Sequence, residues 1–379
     1  MKIGIVCYPT FGGSGVVATE LGKQLAKKGH EVHFISYDQP FRLEHFTENI
    51  FFHEVRVSNY PLFEFAPYES ALTSKLVDVV EFEKLDVLHV HYAIPHASAA
   101  HLAKEILLEK GIQIPFVTTL HGTDITLVGK DPSFEPVVSF AMNKSDGLTA
   151  VSESLKQDTL KHFNVSRHIE VIPNFVCCFT YGQETEKDIR KVYAPNGEKI
   201  ITHISNFRKV KRVEDVIYTF KKISEKVSAK LMLIGDGPER HKMEKLCREL
   251  KTCDDTIFLG KLRSVYEVLK ASDLFLLTSL TESFGLSALE AMASGVPVIS
   301  TNRGGLPEVN VHGESGFLSD VGDIENLAAN SIKLLTDDAL LEKLKKGALE
   351  RAKQFDVSKI LPLYENLYQK VISGNRVLA

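Results

Sequence analysis

Short apolar runs alternate with longer amphipathic segments along the first half of the chain. Runs rich in Val, Ile, Leu and Phe predict β-strands, and the segments between them have the apolar spacing of α-helices. The predicted strands cover residues 2–8, 31–37, 87–91, 116–120 and 147–151, and the predicted helices cover residues 15–28, 68–83, 97–110 and 135–144. This alternation predicts a parallel, doubly wound α/β sheet.

The same alternation returns near residue 200. The predicted strands there cover residues 199–205, 231–235, 256–259, 274–278, 297–301 and 316–318. A chain of 379 residues is too long for one ordinary core. We therefore predict two Rossmann-like domains, at residues 1–172 and 173–355, with a polar linker at 179–186. We expect the terminal segment 356–379, with a helix at 357–372, to complete the first domain.

The composition is that of a globular enzyme and argues against a nucleic-acid-binding or membrane-spanning protein. The chain is 44% apolar and 25% charged, as is usual for a globular enzyme, and its net charge of −4 argues against a nucleic-acid partner. It has no secretory signal and no run of about 18 apolar residues, so we expect no membrane span. Its five cysteines have the spacing of neither a zinc site nor a disulfide framework. These features predict a cytoplasmic protein, and a homo-oligomer is compatible with them.

The segment from Glu282 to Glu290 carries the strongest chemical signal. It follows the predicted strand at 274–278, and its second half has the composition of a helix. Glu282 is expected in the loop, Glu290 about two turns into the helix, and the free amides of residues 284–287 at the helix start. Such amides bind phosphate, and the two carboxylates can hold sugar and ribose hydroxyls. The pattern predicts a nucleotide-sugar site, although two surface glutamates around a capped helix would look the same.

A glycine-rich loop follows the first predicted strand. Gly13, Gly15 and Ala18 formally satisfy the dinucleotide fingerprint, and Asp38 ends the second strand. The residues alone therefore leave an NAD-dependent oxidoreductase open. Against it, Pro9 and the two residues after it lengthen the turn, and Asp38 lies 25 residues after Gly13, farther than is usual.

Other loops after strands carry candidate groups. His121 follows the strand at 116–120 and can bond a sugar hydroxyl or move a proton. His89 and His91 share one face of a strand, but nothing with metal-ligand spacing accompanies them, and the chain has no Asp-x-Asp motif. Four cations within residues 208–212 suit a diphosphate, although a solvated basic loop would have the same composition.

Together these segments resemble the family-4 retaining glycosyltransferases, which have the GT-B fold of two Rossmann-like domains facing a central cleft. The resemblance covers nearly the whole chain. It is carried by residues 12–15, 121–124, 211, 235–238, 282–290 and 304–308. A closer resemblance, carried by residues 7–15, 89–96, 118–124 and 205–212, is to the members that use UDP-N-acetylglucosamine and L-malate. It implies transfer of N-acetylglucosamine to the malate hydroxyl, the first step of bacillithiol biosynthesis.

The resemblance also implies residue roles. Catalytic contacts are implied for His121 and Glu282 with the transferred sugar, and for Arg208 and Lys211 with the diphosphate. Malate would be held by Ser14, Tyr92 and Thr119. Gly13, in the same loop as Ser14, would contact the donor. The remaining donor-binding residues would be Asn206, Phe258, Lys261, Phe284, Gly285, Leu286, Ser287 and Glu290. Reaction with retention would proceed by front-face attack, with no cofactor and no metal.

The chain departs from the family pattern in several places. Asn206 stands where Arg is usual, and Ser139 stands where some malate-using members carry a basic residue. Residues 177–181 replace the usual acidic turn, a change that we expect to affect the hinge more than the chemistry. Alternatives in the same class use an inositol phosphate or a lipid carrier as acceptor. A sugar-nucleotide sensor without activity is a further alternative.

Overall fold

The computed structural model of the chain describes residues 1–10, 12–43, 47–57, 64–127, 131–182 and 188–377. It divides into two compact units. Unit 1 comprises Met1–Asn174 and Ser358–Ala379, and unit 2 comprises Phe175–Val357. The chain thus leaves unit 1 two residues after the predicted boundary at residue 172. The second half of the predicted linker, at residues 183–186, lies outside the described residues.

Unit 1 alternates strands and helices. Its strands are β1 (Lys2–Val6), β2 (Glu31–Ser36), β3 (Ile50–Glu54), β4 (Val87–His91), β5 (Phe116–Leu120), β6 (Gly147–Ala150) and β7 (Ile169–Val171). Its helices are α1 (Gly13–Lys27), α2 (Tyr68–Glu83), α3 (Ser98–Glu109), α4 (Glu135–Lys144), α5 (Glu153–His162) and, at the end of the chain, α15 (Val357–Val377).

Within the described residues, these strands form one seven-stranded sheet with the order β3-β2-β1-β4-β5-β6-β7. Neighbouring strands are parallel, and Ile3 of β1 lies opposite Val32 of β2 and Val87 of β4. The inner strands β1, β2, β4, β5 and β6 are almost entirely buried, as expected where helices cover both faces of a parallel sheet. The strand order reverses between β1 and β4, which is where ligands of such sheets bind.

The C-terminal helix α15 packs on unit 1. Tyr364 and Tyr368 are fully buried, and the Tyr368 hydroxyl lies 2.7 Å from Nδ1 of His89 in β4. A Cβ atom at Gly147 of β6 would lie 3.2 Å from Leu367 and 3.3 Å from Val371. The helix therefore completes the core of unit 1 after the chain has passed through unit 2.

Unit 2 repeats the architecture. Its strands are β8 (Lys199–Ile204), β9 (Ala229–Ile234), β10 (Thr256–Gly260), β11 (Leu274–Leu277), β12 (Val298–Thr301) and β13 (Gly316–Ser319). Its helices are α6 (Cys178–Gly182), α7 (Ile189–Tyr193), α8 (Val213–Ser224), α9 (Arg240–Leu250), α10 (Tyr266–Ala271), α11 (Leu286–Ala293), α12 (Leu306–Val309), α13 (Ile324–Thr336) and α14 (Asp338–Ala352).

In the part of unit 2 that the structure describes, six parallel strands have the order β10-β9-β8-β11-β12-β13. The order reverses between β8 and β11, so the loops that follow these two strands meet at the switch point. A hydrophobic core packs helices against one face of this sheet through fully buried side chains such as Phe220, Leu231 and Leu344.

Among the strands and α-helices that the structure describes in unit 1, the sequence-based predictions missed β3, α5 and β7. In unit 2, α11 begins at Leu286, so Glu290 is its fifth residue, one turn into the helix, and the expectation of two turns was wrong. Among the helices that the structure describes, none has both the length and the apolar character needed to cross a lipid bilayer.

Candidate functional site

A lysine and a carboxylate meet at the switch point of unit 2. Lys211 follows β8, Glu282 follows β11, and the Lys211 ammonium donates a 2.6 Å hydrogen bond to Glu282 Oε1. The hydroxyl of Ser279 donates to the same oxygen at 2.7 Å. Both side chains keep some contact with solvent, at 19% and 14% exposure. The pair therefore presents a positive and a negative group at the carboxyl end of the sheet.

Two glycines after β12 fix the backbone around Glu282. Gly305 N–H donates to the Glu282 carbonyl at 2.8 Å. A Cβ atom at Gly304, where φ is +63°, would lie 2.0 Å from that carbonyl oxygen, so no side chain fits there. The loop after β12 thus supports the loop after β11 through backbone contact, and the double glycine is required by this close approach.

The start of α11 offers backbone donors beside Glu282. Gly285 has φ of +99° and precedes the first helical residue, Leu286. The first intrahelical bond runs from Leu289 N–H to the Gly285 carbonyl, so the amides of Leu286, Ser287 and the next residue have no partner within the helix. Phe284 is buried just before this turn and its ring packs edge-on against Phe355. The buried ring anchors the turn, and the free amides form the positive end of a helix dipole.

Glu290 is held by a tyrosine from the beginning of unit 2. The hydroxyl of Tyr181, in α6, donates a 2.6 Å hydrogen bond to Glu290 Oε1. Both side chains are buried. We expected residues 177–181 to affect the hinge more than the chemistry, and that expectation stays a prediction. The structure adds a contact from this segment to Glu290, the residue that we predict to hold the ribose.

The cations of the segment after β8 do not act as one group. Arg212 forms a bidentate pair with Asp215 at the start of α8, whereas Lys211 faces Glu282. Arg208 and Asn206 have exposed side chains. Of the four cations in the predicted diphosphate segment, Arg212 is thus paired with Asp215 and stabilises the start of α8.

The predicted base-binding residues lie in β10 and directly after it. Phe258 is half-buried in β10, with the Arg240 guanidinium 5.9 Å from its ring centre. Gly235 N–H donates to the Gly260 carbonyl at 2.8 Å, which joins the loops after the two strands. Lys261, next to Gly260, is exposed. An aromatic face and a nearby cation offer one surface on which a planar base can stack.

A hydroxyl pair marks the switch point of unit 1. Ser14, at the start of α1 after β1, lies with its Oγ 2.6 Å from the hydroxyl of Tyr92, which follows β4. Tyr92 has a left-handed backbone with φ of +96°, a conformation that costs free energy and is enriched at functional sites. A side chain at Gly15 would lie 2.6 Å from the Thr10 carbonyl oxygen, so α1 can begin this close to β1 only with glycine there.

Buried histidines line the carboxyl ends of β4 and β5. Nε2 of His121 lies 2.7 Å from Nδ1 of His91, and the two rings stack. Burial lowers the pKa of His121 to about 3, and the nearby His96 adds to the shift. His121 is therefore neutral near pH 7 and can exchange a hydrogen bond with a ligand, but it cannot supply a positive charge.

Asp124 ties these loops together. Its carboxylate accepts hydrogen bonds from Ala93 N–H and Gly122 N–H, both at 3.0 Å. Burial raises the pKa of this carboxyl to about 6 despite these bonds. The sequence placed Asp124 in a glycosyltransferase motif, and the structure gives it the role of joining the loop after β4 to the loop after β5.

Thr119 differs from the other predicted acceptor residues. It is fully buried, and its hydroxyl lies 2.7 Å from His89 Nε2 and 2.7 Å from the Thr149 hydroxyl. The side chain is thus part of a buried polar network with α15. Its position gives no support to direct contact with an acceptor, whereas Ser14 and Tyr92 lie at the switch point.

Two family models match the chain, one in each half. The model "Glycosyltransferase Family 4" matches residues 11–178, and "Glycosyl transferases group 1" matches residues 184–351. The N-acetyl-alpha-D-glucosaminyl L-malate synthase of Bacillus anthracis is 49% identical over 378 residues, which cover 99% of this chain and 98% of that protein. The chain belongs to glycosyltransferase family 4. The resemblance and the enzyme class predicted from the sequence are confirmed.

Solved structures agree with the fold. Sucrose-phosphate synthase from Thermosynechococcus elongatus superposes with a TM-score of 0.81 at 20% identity, covering 99% of this chain and 100% of that chain. Anabaena Alr3699/HepE, in complex with UDP-glucose, superposes with a TM-score of 0.79 at 20% identity, covering all of both chains. The predicted GT-B fold class is confirmed, and the roles of individual site residues stay predictions.

Proposed function

We propose that this glycosyltransferase transfers N-acetylglucosamine from UDP-N-acetylglucosamine to the hydroxyl of L-malate with retention of configuration. The structural observation that carries the proposal is the Lys211–Glu282 pair at the switch point of unit 2, beside the free amides of α11. The choice of donor and acceptor is supported by the 49% identity to the Bacillus anthracis enzyme whose name specifies both groups. In this proposal the reaction is cytoplasmic and opens bacillithiol biosynthesis.

Unit 2 is assigned the donor. The diphosphate lies against the amides of Leu286 and Ser287, with Lys211 and Arg208 as its cations, because a helix start and two cations together favour a dianion. Glu290, oriented by Tyr181, accepts hydrogen bonds from the ribose hydroxyls. The base lies near Phe258, which has the Arg240 guanidinium 5.9 Å from its ring centre, and near Lys261 directly after β10. Asn206 lies two residues before Arg208, and both side chains are exposed.

Unit 1 is assigned the acceptor. Malate is a dicarboxylate, so it suits the N-terminal amides of α1 at Gly13 and Ser14, which have no intrahelical partner. The hydroxyls of Ser14 and Tyr92, which already bond each other, donate to a carboxylate without bringing a charge of their own. Ser139 cannot supply a cation for a phosphorylated acceptor, and its hydroxyl donates to Glu135 at 2.6 Å. This disfavours an inositol phosphate.

The chemistry requires departure of UDP from C1 of the sugar and attack of the malate hydroxyl on the same face. The C1–O bond to the diphosphate breaks, the bond from C1 to the malate oxygen forms, and the hydroxyl proton passes to the leaving phosphate oxygen. Lys211, Arg208 and the α11 amides stabilise the charge that develops on UDP. Glu282 and neutral His121 orient the sugar, which reduces the entropic part of the barrier. The proposal thus assigns charge stabilisation to the protein and requires no metal.

The first test is release of UDP from UDP-N-acetylglucosamine, measured with and without L-malate in the presence of EDTA. The proposal expects release that depends on malate and is unchanged by EDTA. UDP release that depends on an inositol phosphate or a lipid carrier, and not on malate, would show that the acceptor is that compound instead of malate. Binding of the donor without turnover with any acceptor would indicate a sensor, and tight NADH binding with indifference to UDP would indicate an oxidoreductase.

A further inference from the structure

Three potential metal ligands from three elements converge at the edge of unit 1, away from the switch point. They are His33 in β2, His53 in β3 and Glu83, the last residue of α2. One ligand atom of each lies within 4.8 Å of the others. His33 is fully buried, and the other two are half-buried. The group is therefore partly shielded and partly accessible, as a metal site with an entry path requires.

The sheet register brings the two histidines together. In the β2–β3 ladder, His33 lies opposite Phe51 and Ile35 lies opposite His53. His33 and His53 therefore point to the same face from diagonal positions, and Nδ1 of His33 lies 2.9 Å from Nε2 of His53. Tetrahedral zinc places its ligand atoms about 3.3 Å apart, so only small side-chain adjustments are needed to admit an ion between these nitrogens.

A second carboxylate fixes the orientation of His33. The other ring nitrogen, Nε2, lies 3.0 Å from Glu31 Oε1, and Glu31 also pairs with Lys2 at 2.6 Å. A hydrogen bond from Nε2–H to Glu31 leaves Nδ1 unprotonated and directed at His53. Metal-bound histidines commonly have such a carboxylate behind them, because it fixes the tautomer and raises ligand basicity.

The third ligand has no other role in the described part of the chain. The Glu83 carboxylate forms no hydrogen bond and no ion pair with the residues that the structure describes. It ends α2 immediately before Lys84, whose left-handed backbone turns the chain toward β4. A carboxylate next to two neutral imidazoles supplies negative charge that partly balances a divalent cation.

We propose that His33, His53 and Glu83 bind one zinc ion, with Glu31 as the outer carboxylate and water as the fourth ligand. The donor set of two imidazoles and one carboxylate matches the preference of zinc. The ion would join β2, β3 and the end of α2, and so would stabilise the edge of the unit 1 sheet. Glu31 and Glu83 lie toward the amino-terminal ends of the strands, whereas the proposed acceptor site follows the carboxyl ends. The ion would therefore stabilise the fold without entering the reaction.

Zinc binding to untagged protein, stripped with a chelator and dialysed, tests the proposal. The expected result is one equivalent more in the wild type than in His53→Gln or Glu83→Gln, with a zinc-dependent rise in thermal midpoint that these variants lose. Glu31→Gln should keep the equivalent but bind it about 10–100-fold more weakly. His162→Gln, a surface histidine on α5, is the matched control and should behave as the wild type. Substituting cobalt should give the visible spectrum of a tetrahedral site.

Two ligand variants, His53→Gln and Glu83→Gln, are used so that the test still gives an answer if one of them folds poorly. Glu83→Gln changes only charge at a helix end, so its circular dichroism in EDTA should equal that of the wild type. Zinc stoichiometry that is equal in the wild type and in Glu83→Gln would overturn the proposal, as would no binding to the wild type at all. In either case the His53–His33–Glu31 chain would be an ordinary hydrogen-bonded network. UDP release in EDTA is expected to be unaffected, so this test and that of the proposed reaction can fail separately.

Discussion

The Tyr181 hydroxyl donates a 2.6 Å hydrogen bond to the Glu290 carboxylate, and the two residues are 109 positions apart in the chain. Tyr181 lies in α6, which begins unit 2, and Glu290 lies in α11 behind the switch point. Both are buried, so the bond has little competition from water. The contact fixes the direction of the carboxylate that we propose to hold the ribose.

Loss of this contact is expected to weaken donor binding. In Tyr181→Phe, Glu290 loses a donor worth about 1.5–3 kcal/mol in a charged hydrogen bond, part of which the ribose can replace. We expect UDP affinity, measured by calorimetry, to fall about tenfold, with KM for malate unchanged. Tyr218→Phe on the exposed face of α8 is the control. Unchanged UDP affinity in Tyr181→Phe would remove the proposed role of the tyrosine.

Lys211 should affect the chemical step more strongly. In Lys211→Gln the leaving diphosphate loses a cation, and by analogy with removal of one oxyanion donor we expect kcat/KM to fall about 100–1000-fold. Steady-state UDP release measures this directly. Lys209→Gln removes an equal charge from the same basic segment at an exposed position, and its activity should stay within a few-fold of the wild type. Equal losses in both variants would indicate a general electrostatic effect of the basic segment instead.

The acceptor assignment predicts a different kinetic pattern. Tyr92→Phe and Ser14→Ala each break the 2.6 Å pair and remove one hydroxyl from the proposed malate site. A lost hydrogen bond to a charged group corresponds to about 1.5–3 kcal/mol, so KM for malate should rise by at least about tenfold. Affinity for UDP should not change, since these residues belong to unit 1. A selective loss of UDP affinity would contradict the assignment.

The buried histidines predict that unit 1 loses stability in mild acid. Burial lowers the pKa of His89 and His121 to about 3 and that of His96 to about 4, below the ordinary value of 6.5. Between pH 6.5 and pH 5 the unfolded chain binds protons that the folded chain does not, which costs on the order of 1 kcal/mol per histidine and pH unit. Asp124 opposes this, because its pKa is raised to about 6 and its folded form gains a proton first.

Burial also lowers the pKa of His91, so the histidines outweigh Asp124. The free energy of unfolding of unit 1 should therefore fall as the pH is lowered from 7 to 5. Hydrogen exchange of amides in β4 and β5, corrected for the intrinsic pH dependence of exchange, measures this locally. Carboxylates of ordinary pKa remain ionised in this range and contribute little. Protection that stays constant or increases at pH 5 would show that the histidines are not held neutral.

Much of the fold could be predicted because its strands are buried on both faces. The predicted strand at 87–91 and the predicted helices at 68–83 and 135–144 agree with the structure at both ends. Strand β3 lacks that signal, since it is an edge strand whose Phe51 and Phe52 are exposed, and β7 has only three residues. The hydrophobic pattern that predicts a strand arises from burial of its side chains, so the pattern is weak in strands at the solvent-exposed edge of the sheet.

Contacts in the candidate site could be predicted where both residues directly follow strands. They could not be predicted where one partner is distant in the sequence and follows no strand. Lys211 and Glu282 each follow a strand at the switch point, so topology alone brings them together. Tyr181 precedes the first strand of unit 2, and no spacing connects it to Glu290. The role of Thr119 at the acceptor was implied by the family resemblance alone, whereas alternation along β5 directs its side chain into the core toward His89.

The identity and configuration of the product test the central claim most directly. The protein, UDP-N-acetylglucosamine and L-malate are incubated, and the product is followed by proton NMR. The proposed function predicts an α-linked N-acetylglucosaminyl malate formed in step with UDP, with the anomeric signal of the donor replaced by another of α configuration. A β-linked product would contradict front-face transfer, and free N-acetylglucosamine or no product would contradict malate as the acceptor.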